Sequence, residues 1–282
     1  MSDTVRPMGA IRFGPARWPS HDSPEEAVRV LRERGYSACE LDFERGFWLD
    51  YPAAERLGER AREHDIVLSV HAPLFAFPAH PDPKKAKMAL GALDRSAGLA
   101  AACGAEVVVI HPGFWLGRDR QTTLDDVVAW LGELRERLVA KDREVAFGIE
   151  VMGRVSELGS IDDVLHVASR VAWVRPVIDF AHMHATSDGA FTDAEAFASV
   201  LESADDALAP GEPFHIHFSD IAYANRNETK HLAYGDGTLR AEPLRDALAR
   251  FERPATVISE SPDEGSSQAI KTILQAGVSA AS

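Results

Sequence analysis

The sequence predicts a single α/β domain, a (β/α)8 TIM barrel with its active site at the C-terminal ends of the strands. Three observations predict it. Short apolar runs alternate with longer amphipathic segments along all 282 residues. Most of those runs are apolar at consecutive positions, as strands covered on both faces of a parallel sheet are. Eight such units at roughly 35 residues each match the roughly 250 residues of a closed barrel, and no Gly/Ser-rich linker divides the chain.

Taken in order, Ala10–Phe13 reads as the first strand. Ser23-Pro24-Glu25-Glu26 opens the first helix with an N-cap followed by proline. Ala38–Asp42 and Val67–His71 are the next strands. Pro83–Cys103 is a long Ala-rich helix, apolar at three-to-four spacing. Glu106–His111 is a strand, followed by a helix over Thr122–Lys141 with Asp125 and Asp126 near its start. Val145–Glu150 is the fifth strand. Ser160-Ile161-Asp162-Asp163 and Thr192-Asp193-Ala194-Glu195 resemble capping boxes, with the strand Arg175–Asp179 between them. Phe214–His217 and Val257–Glu260 complete the set, and the last helix runs from about Gly265 to Ala276. An open doubly wound sheet would carry a Gly-rich phosphate turn after its first strand, and Phe13-Gly14-Pro15-Ala16-Arg17 lacks one. The barrel is expected over residues 9–278, with tails at 1–8 and 279–282.

Composition narrows the class. A chain 45% hydrophobic and 26% charged is globular, which excludes disordered and fibrous readings. Its longest apolar runs fall far short of the roughly 20 residues that span a bilayer, and Met1–Met8 carries no apolar signal core. Cys39 and Cys103, the only cysteines, sit in apolar-rich segments and read as buried thiols of a reduced, cytoplasmic protein. The chain is taken as a monomer. Its 30 basic against 44 acidic residues, a formal −14, argue against broad nucleic-acid binding through Lys and Arg. A local positive site is compatible with that balance, because bound divalent cations invert the local field. A salt-rich host or selection for solubility produces the same acidic surface.

The informative feature is what ends each apolar run. In succession the ends are His71, His111, Glu150, Asp179, His217 and Glu260. Strand ends converge at one mouth of a barrel, where unpaired carboxylates and imidazoles would repel one another or be desolvated. Divalent cations remove that cost, and imidazole with bridging carboxylate favours zinc or manganese. With two carboxylates able to bridge, a centre of two or more ions is expected. His182, three residues after Asp179, reaches the same mouth from the following loop, and His231 sits in the loop after the seventh strand. His184 is a weaker ligand candidate. His215 lies one layer below His217 and reads as a core or supporting histidine. His21, His64, His80 and His166 read as surface residues. No G-x-S-x-G elbow or Walker loop is present.

The segments Leu68–Pro73, Val109–Gly113, Ile149-Glu150, Ile178–His182, His217–Asp220, Lys230–Gly237 and Ser259–Pro262 together resemble the successive motifs of endonuclease IV, the zinc-dependent apurinic/apyrimidinic (AP) endonuclease family on the xylose-isomerase-like barrel. The resemblance spans about residues 8–277. It implies His71, His111, Glu150, Asp179, His182, His217, His231 and Glu260 as metal ligands, with Glu150 and Glu260 bridging and catalytic. The implied activity is hydrolysis of the phosphodiester 5′ to an abasic sugar in double-stranded DNA. The family's Asp two residues before the loop histidine is Thr229 here, which weakens the third ion's site unless the adjacent Glu228 replaces it. Leu74 and Phe77 stand where the family carries Tyr and Asn. The segment Asp42–Trp48 reads either as a DNA-contacting loop, with Arg45 and Trp48 meeting substrate, or as plain surface. The competing reading is a sugar or sugar-phosphate isomerase or epimerase. It needs one metal on Glu150, Asp179, His217 and Glu260 and leaves the other histidines without a task.

Overall fold

The computed structural model describes residues 9–20 and 23–276. The expected tails, the barrel's expected final residues 277 and 278, and His21 lie outside the described residues. In chain order the elements are β1 (Ile11–Pro15), α1 (Pro24–Glu33), β2 (Ala38–Asp42), α2 (Tyr51–Glu63), β3 (Val67–His71), α3 (Pro83–Cys103), β4 (Val107–Ile110), α4 (Arg120–Val139) and β5 (Ala146–Glu150). They continue with α5 (Ile161–Arg170), β6 (Val174–Asp179), α6 (Phe180–Thr186), α7 (Ala194–Ala207), β7 (Phe214–Phe218), β8 (Asp220–Ala224), β9 (Asn227–Leu232), α8 (Ala241–Leu248), β10 (Ala255–Ser259) and α9 (Glu264–Gln275).

Eight of the strands form one parallel sheet in the order β1-β10-β7-β6-β5-β4-β3-β2. Its two ends meet. The Ser37 N–H donates to the Phe13 carbonyl at 3.0 Å, and the Phe13 N–H to Ser37 Oγ at 3.1 Å. The result is the (β/α)8 barrel expected. The seam depends on Gly14, where a Cβ would stand 1.6 Å from the Ala38 carbonyl oxygen.

Local signals explain most boundaries. Ser23 accepts the Glu26 N–H, with Pro24 in the first turn of α1. Ser160 and Asp163 form a reciprocal capping box on α5. The box expected at Thr192 is instead a single cap one residue on, where Asp193 accepts the N–H groups of Glu195 and Ala196. Helix α4 starts before Thr122 because Asp119 caps it by accepting the Thr122 N–H. The segment after β7 is a correction. It folds as the antiparallel hairpin β8–β9 rather than a loop, so His231 lies on a strand. His182 likewise sits on the short helix α6, not on a loop.

The main core lies between the barrel and its helices. A smaller cluster of Val107, Val109 and Val177 fills the barrel interior, with Ala146 against it. Side chains alternate along a strand. His111 therefore shares the inward phase of Val107 and Val109, Asp179 that of Val177, Glu150 that of Gly148, and His217 that of His215. The apolar layer below and the polar layer above belong to the same inward face. Cys39 and Cys103 are buried, and burial pushes the Cys103 thiol up to about 11.

Gly14→Ala is expected to cost about 3 kcal/mol or more, since a methyl group there meets rigid backbone. Gly132→Ala in α4, where a Cβ meets nothing within 4 Å, should instead gain about 0.5–1 kcal/mol. Urea denaturation midpoints of the two variants test the contrast.

Candidate metal centre

The eight expected ligands converge on the mouth. His71, Glu150 and Asp179 are the last residues of β3, β5 and β6, and His111 and Glu260 follow β4 and β10 directly. His217 is the penultimate residue of β7. Asp179 also caps α6, its Oδ1 accepting the His182 N–H at 2.7 Å. The His182 ring is held by a second contact, its Nδ1 lying 2.9 Å from the Val151 carbonyl oxygen.

Donor atoms fall into contiguous groups, each within 4.8 Å: His71, His111 and Glu150; then Glu150, Asp179, His182 and Glu260; then His182, Glu228 and His231. Glu150 divides its oxygens. Oε2 is 3.3 Å from both His71 Nε2 and His111 Nε2, and Oε1 is 3.3 Å from His217 Nδ1. Glu260 spans the other side, with Oε1 3.4 Å from His217 Nδ1 and Oε2 3.7 Å from His231 Nε2. Both glutamates are placed to bridge.

Thr229 takes no part. Its hydroxyl donates to the Ala222 carbonyl at 2.9 Å on the exposed side of the hairpin. The cause is a bulge. Ala222 pairs with Lys230 but Tyr223 pairs with Glu228, so Thr229 is the extra residue. One extra residue reverses the side-chain phase, and Glu228 rather than Thr229 shares a face with His231. Its Oε2 lies 3.0 Å from His182 Nε2. Gly153 makes room, since a Cβ there would stand 2.7 Å from both Glu228 Cγ and His182 Cδ2. The sequence signal was present in the adjacent carboxylate; the bulge that selects it was not.

The remaining candidates separate. Arg45 lines a cavity of about 380 Å³ at the mouth, together with Arg17, Asp42, Glu44, His231 and Glu260. Trp48 does not line that cavity; it stacks 6.0 Å from Trp18 beside a separate one, its indole N–H donating to the Asp42 carbonyl at 2.6 Å. His184 is buried away from the ligands, bonded to Thr238 Oγ1 at 2.8 Å. His64 is exposed, whereas His80 and His166 are half-buried rather than on the surface. Leu74 is 43% and Phe75 52% exposed on the rim. Phe77 is buried against Phe114. Glu157, not singled out by the sequence, is buried after β5. Burial raises its carboxyl, reinforced by Glu228 and opposed by His111.

The electrostatics of the protein alone describe a site built for cations. Burial by itself lowers the His71 imidazole, but the Glu150 hydrogen bond and charge outweigh it and carry it up to about 10. His182 and His217 rise in the same way, against burial, through Asp179 and Glu228 and through Glu40, Glu260 and Glu150. Burial pushes Glu228 up, and His182 overrides it, down to about 2. Glu260 is pushed well up, first by burial and then by Asp179 and Glu150. Asp179 Oδ2 is buried with no hydrogen-bond partner. Protons on several imidazoles thus balance the carboxylates, and an orphaned oxygen points inward. Imidazole and carboxylate without thiolate suit zinc or manganese, so the residues fit the ions expected.

A family described as xylose isomerase-like TIM barrel matches residues 28–278. An uncharacterized protein of Methanocaldococcus jannaschii is 30% identical over 253 residues, 89% of this chain and 91% of its own length. A probable endonuclease 4 of Mycoplasma pneumoniae is 24% identical over 202 residues, 69% of this chain and 68% of its own. Among solved structures, a D-tagatose 3-epimerase-like protein superposes with a TM-score of 0.74 at 20% identity, covering 95% of this chain and 97% of that one. No described helix is long and apolar enough to cross a membrane.

The raised His71 value fixes the sign of a pH effect. A group whose folded value lies above its unfolded one stabilises fully below about 6.5 and loses that contribution as pH rises through its folded value. Metal-free protein is therefore expected to lose thermal stability between pH 6.5 and about 10. Protein loaded with zinc should hold its Tm over that range, since the ion replaces the protons. Scanning calorimetry with and without chelator checks this, and a metal-free Tm that climbs with pH would contradict it.

Proposed function

The chain belongs to the xylose isomerase-like TIM barrel family, and within it we propose a metal-dependent phosphodiesterase of the AP endonuclease kind, cutting DNA 5′ to abasic sites. One observation carries the reading: three contiguous donor groups joined through Glu150 and His182. One ion requires one such group. His71 and His111 at one end, and Glu228 and His231 at the other, have a shared purpose only in a centre of two or three ions.

His71, His111 and Glu150 would hold the first ion, Glu150, Asp179 and Glu260 the second, with His217 Nδ1 against both glutamates, and His182, Glu228 and His231 the third. Zinc or manganese held there supplies Lewis-acid stabilisation of the charge that develops on a phosphodiester. The chain's own groups do the rest. Arg17 and Arg45 flank the cavity and meet the phosphate backbone. Glu260 is the one bridging carboxylate that borders the cavity, and its carboxylate accepts the proton of the attacking water. The exposed Leu74 and Phe75 offer apolar contact beside a missing base.

A specific observation favours a second reading, a sugar or sugar-phosphate isomerase or epimerase. The cavity of about 380 Å³ falls in the size class of small-molecule sites, and an epimerase-like barrel superposes closely. It would use one ion on Glu150, Asp179, His217 and Glu260.

The deciding experiment incubates metal-replete protein with a duplex carrying one abasic-site analogue, with and without chelator, beside a panel of ketose and aldose phosphates. Chelator-sensitive incision 5′ to the lesion is expected; sugar turnover without incision would replace this reading with the second. Metal analysis should find two or more ions per chain. Glu260→Gln should lower the incision rate at least about 10²-fold with folding little changed. Glu228→Gln should release one ion at lower chelator concentration, whereas Thr229→Ala should leave metal content unchanged. Equal metal loss in both variants would remove Glu228 from the ligand set.

A further inference from the structure

Beneath the centre lies a polar group that none of these steps uses. Glu40, in the middle of β2, is fully buried in the barrel interior. Its Oε2 accepts the Ser69 hydroxyl at 2.7 Å and lies 3.3 Å from His215 Nε2. Its Oε1 lies 3.1 Å from His217 Nε2. Neither Glu40 Oε1 nor His217 Nε2 has a hydrogen-bond partner, and these two buried atoms face one another at that distance. The opposite nitrogen of the same ring, His217 Nδ1, faces Glu150 Oε1 at 3.3 Å and Glu260 Oε1 at 3.4 Å.

A neutral imidazole carries one proton on two nitrogens. A proton on Nδ1 would block the nitrogen that faces the bridging carboxylates. A proton on Nε2 has a buried carboxylate waiting for it, and Nδ1 is then free to donate its lone pair. Ser69 and His215 occupy Oε2 and hold the carboxylate so that Oε1 is turned to His217. We propose that Glu40 is a positioning residue: it accepts the Nε2 proton of His217 and thereby presents Nδ1 as the metal-ligating nitrogen. A carboxylate behind a ligating histidine fixes both tautomer and ring orientation. The inference rests on the metal-centre reading above. It adds that a residue on β2, the strand at the far side of the seam, governs a ligand on β7.

The same three side chains offer donor atoms within 4.8 Å of one another, which makes a separate cation site the competing possibility. The two differ in which His217 nitrogen is metallated. Protein labelled with nitrogen-15 in histidine and loaded with zinc is examined by long-range proton–nitrogen correlation, with His217 assigned by comparison with His217→Gln. A protonated Nε2 and a zinc-bound Nδ1 are expected. Glu40→Gln keeps the shape but not the charge, and should weaken one zinc by about 10–100-fold in chelator competition. Zinc on Nε2, a proton on Nδ1, or unchanged zinc affinity in folded Glu40→Gln would overturn the inference while leaving the metal centre standing. Should Glu40→Gln fail to fold, the tautomer of the wild-type protein decides alone. Wild-type protein that takes up no zinc would overturn the metal-centre reading and this inference together.

Discussion

The mouth of this barrel gathers Glu40, Glu150, Asp179, Glu228 and Glu260 with His71, His111, His182, His217 and His231 in a space largely closed to water. Buried carboxylates in such numbers demand positive charge, because each ionised group gives up solvation worth several kcal/mol. Protons on His71, His182 and His217 meet the demand in the protein alone. Cations meet it better, since one divalent ion answers two carboxylates and needs no proton on the imidazoles. Much of the surrounding architecture serves this balance. The Asp179 cap and Val151 carbonyl that hold His182, the Gly153 clearance that admits Glu228, and the hairpin that delivers His231 each bring a donor to a place where it would be unstable alone.

Barrel geometry explains how so dense a cluster arises without disrupting the fold. Strand alternation puts every second residue inside. The lower inward positions are apolar or small, as at Val107, Val109, Gly148 and Val177, and they carry the packing. Near the mouth the inward positions turn ionisable, at His71, His111, Glu150, Asp179, His217 and Glu260, with Glu40 and His215 one layer down. Stability and chemistry therefore occupy different heights of one structure, as the fold in general allows.

That arrangement is also why the fold and most of the centre were legible in the sequence. A run such as Val107–Ile110 followed by His111 is a local pattern, and its meaning depends only on strands being parallel and their ends meeting. The hairpin after β7 was not legible. Asn227–Leu232 is polar and partly exposed, without the apolar alternation that marks a strand. Its bulge is a tertiary choice, and it exchanges Thr229 for Glu228 as the residue beside His182. Glu40 was hidden for a different reason. It lies mid-strand between Cys39 and Leu41, and nothing local distinguishes a supporting carboxylate from an ordinary polar residue. The partner that gives it meaning, His217, is 177 residues away in the chain. Trp48 shows the converse limit: its residue type says nothing of its packing on Trp18 and the Asp42 carbonyl.

The overall acidity and the proposed DNA substrate are reconciled at the same point. A formal −14 repels a polyanion at long range, so affinity cannot come from a diffuse basic surface. It has to be concentrated where Arg17 and Arg45 border the cavity and where divalent cations reverse the sign of the mouth. On that reading recognition is coupled to metal loading: without ions the mouth is a patch of carboxylates and shared protons, and divalent ions offset that negative charge. A neutral sugar would feel that reversal only weakly. The dependence of substrate binding on metal occupancy, separate from the dependence of turnover, is thus itself a physical discriminator between a phosphodiester and a neutral sugar at this site.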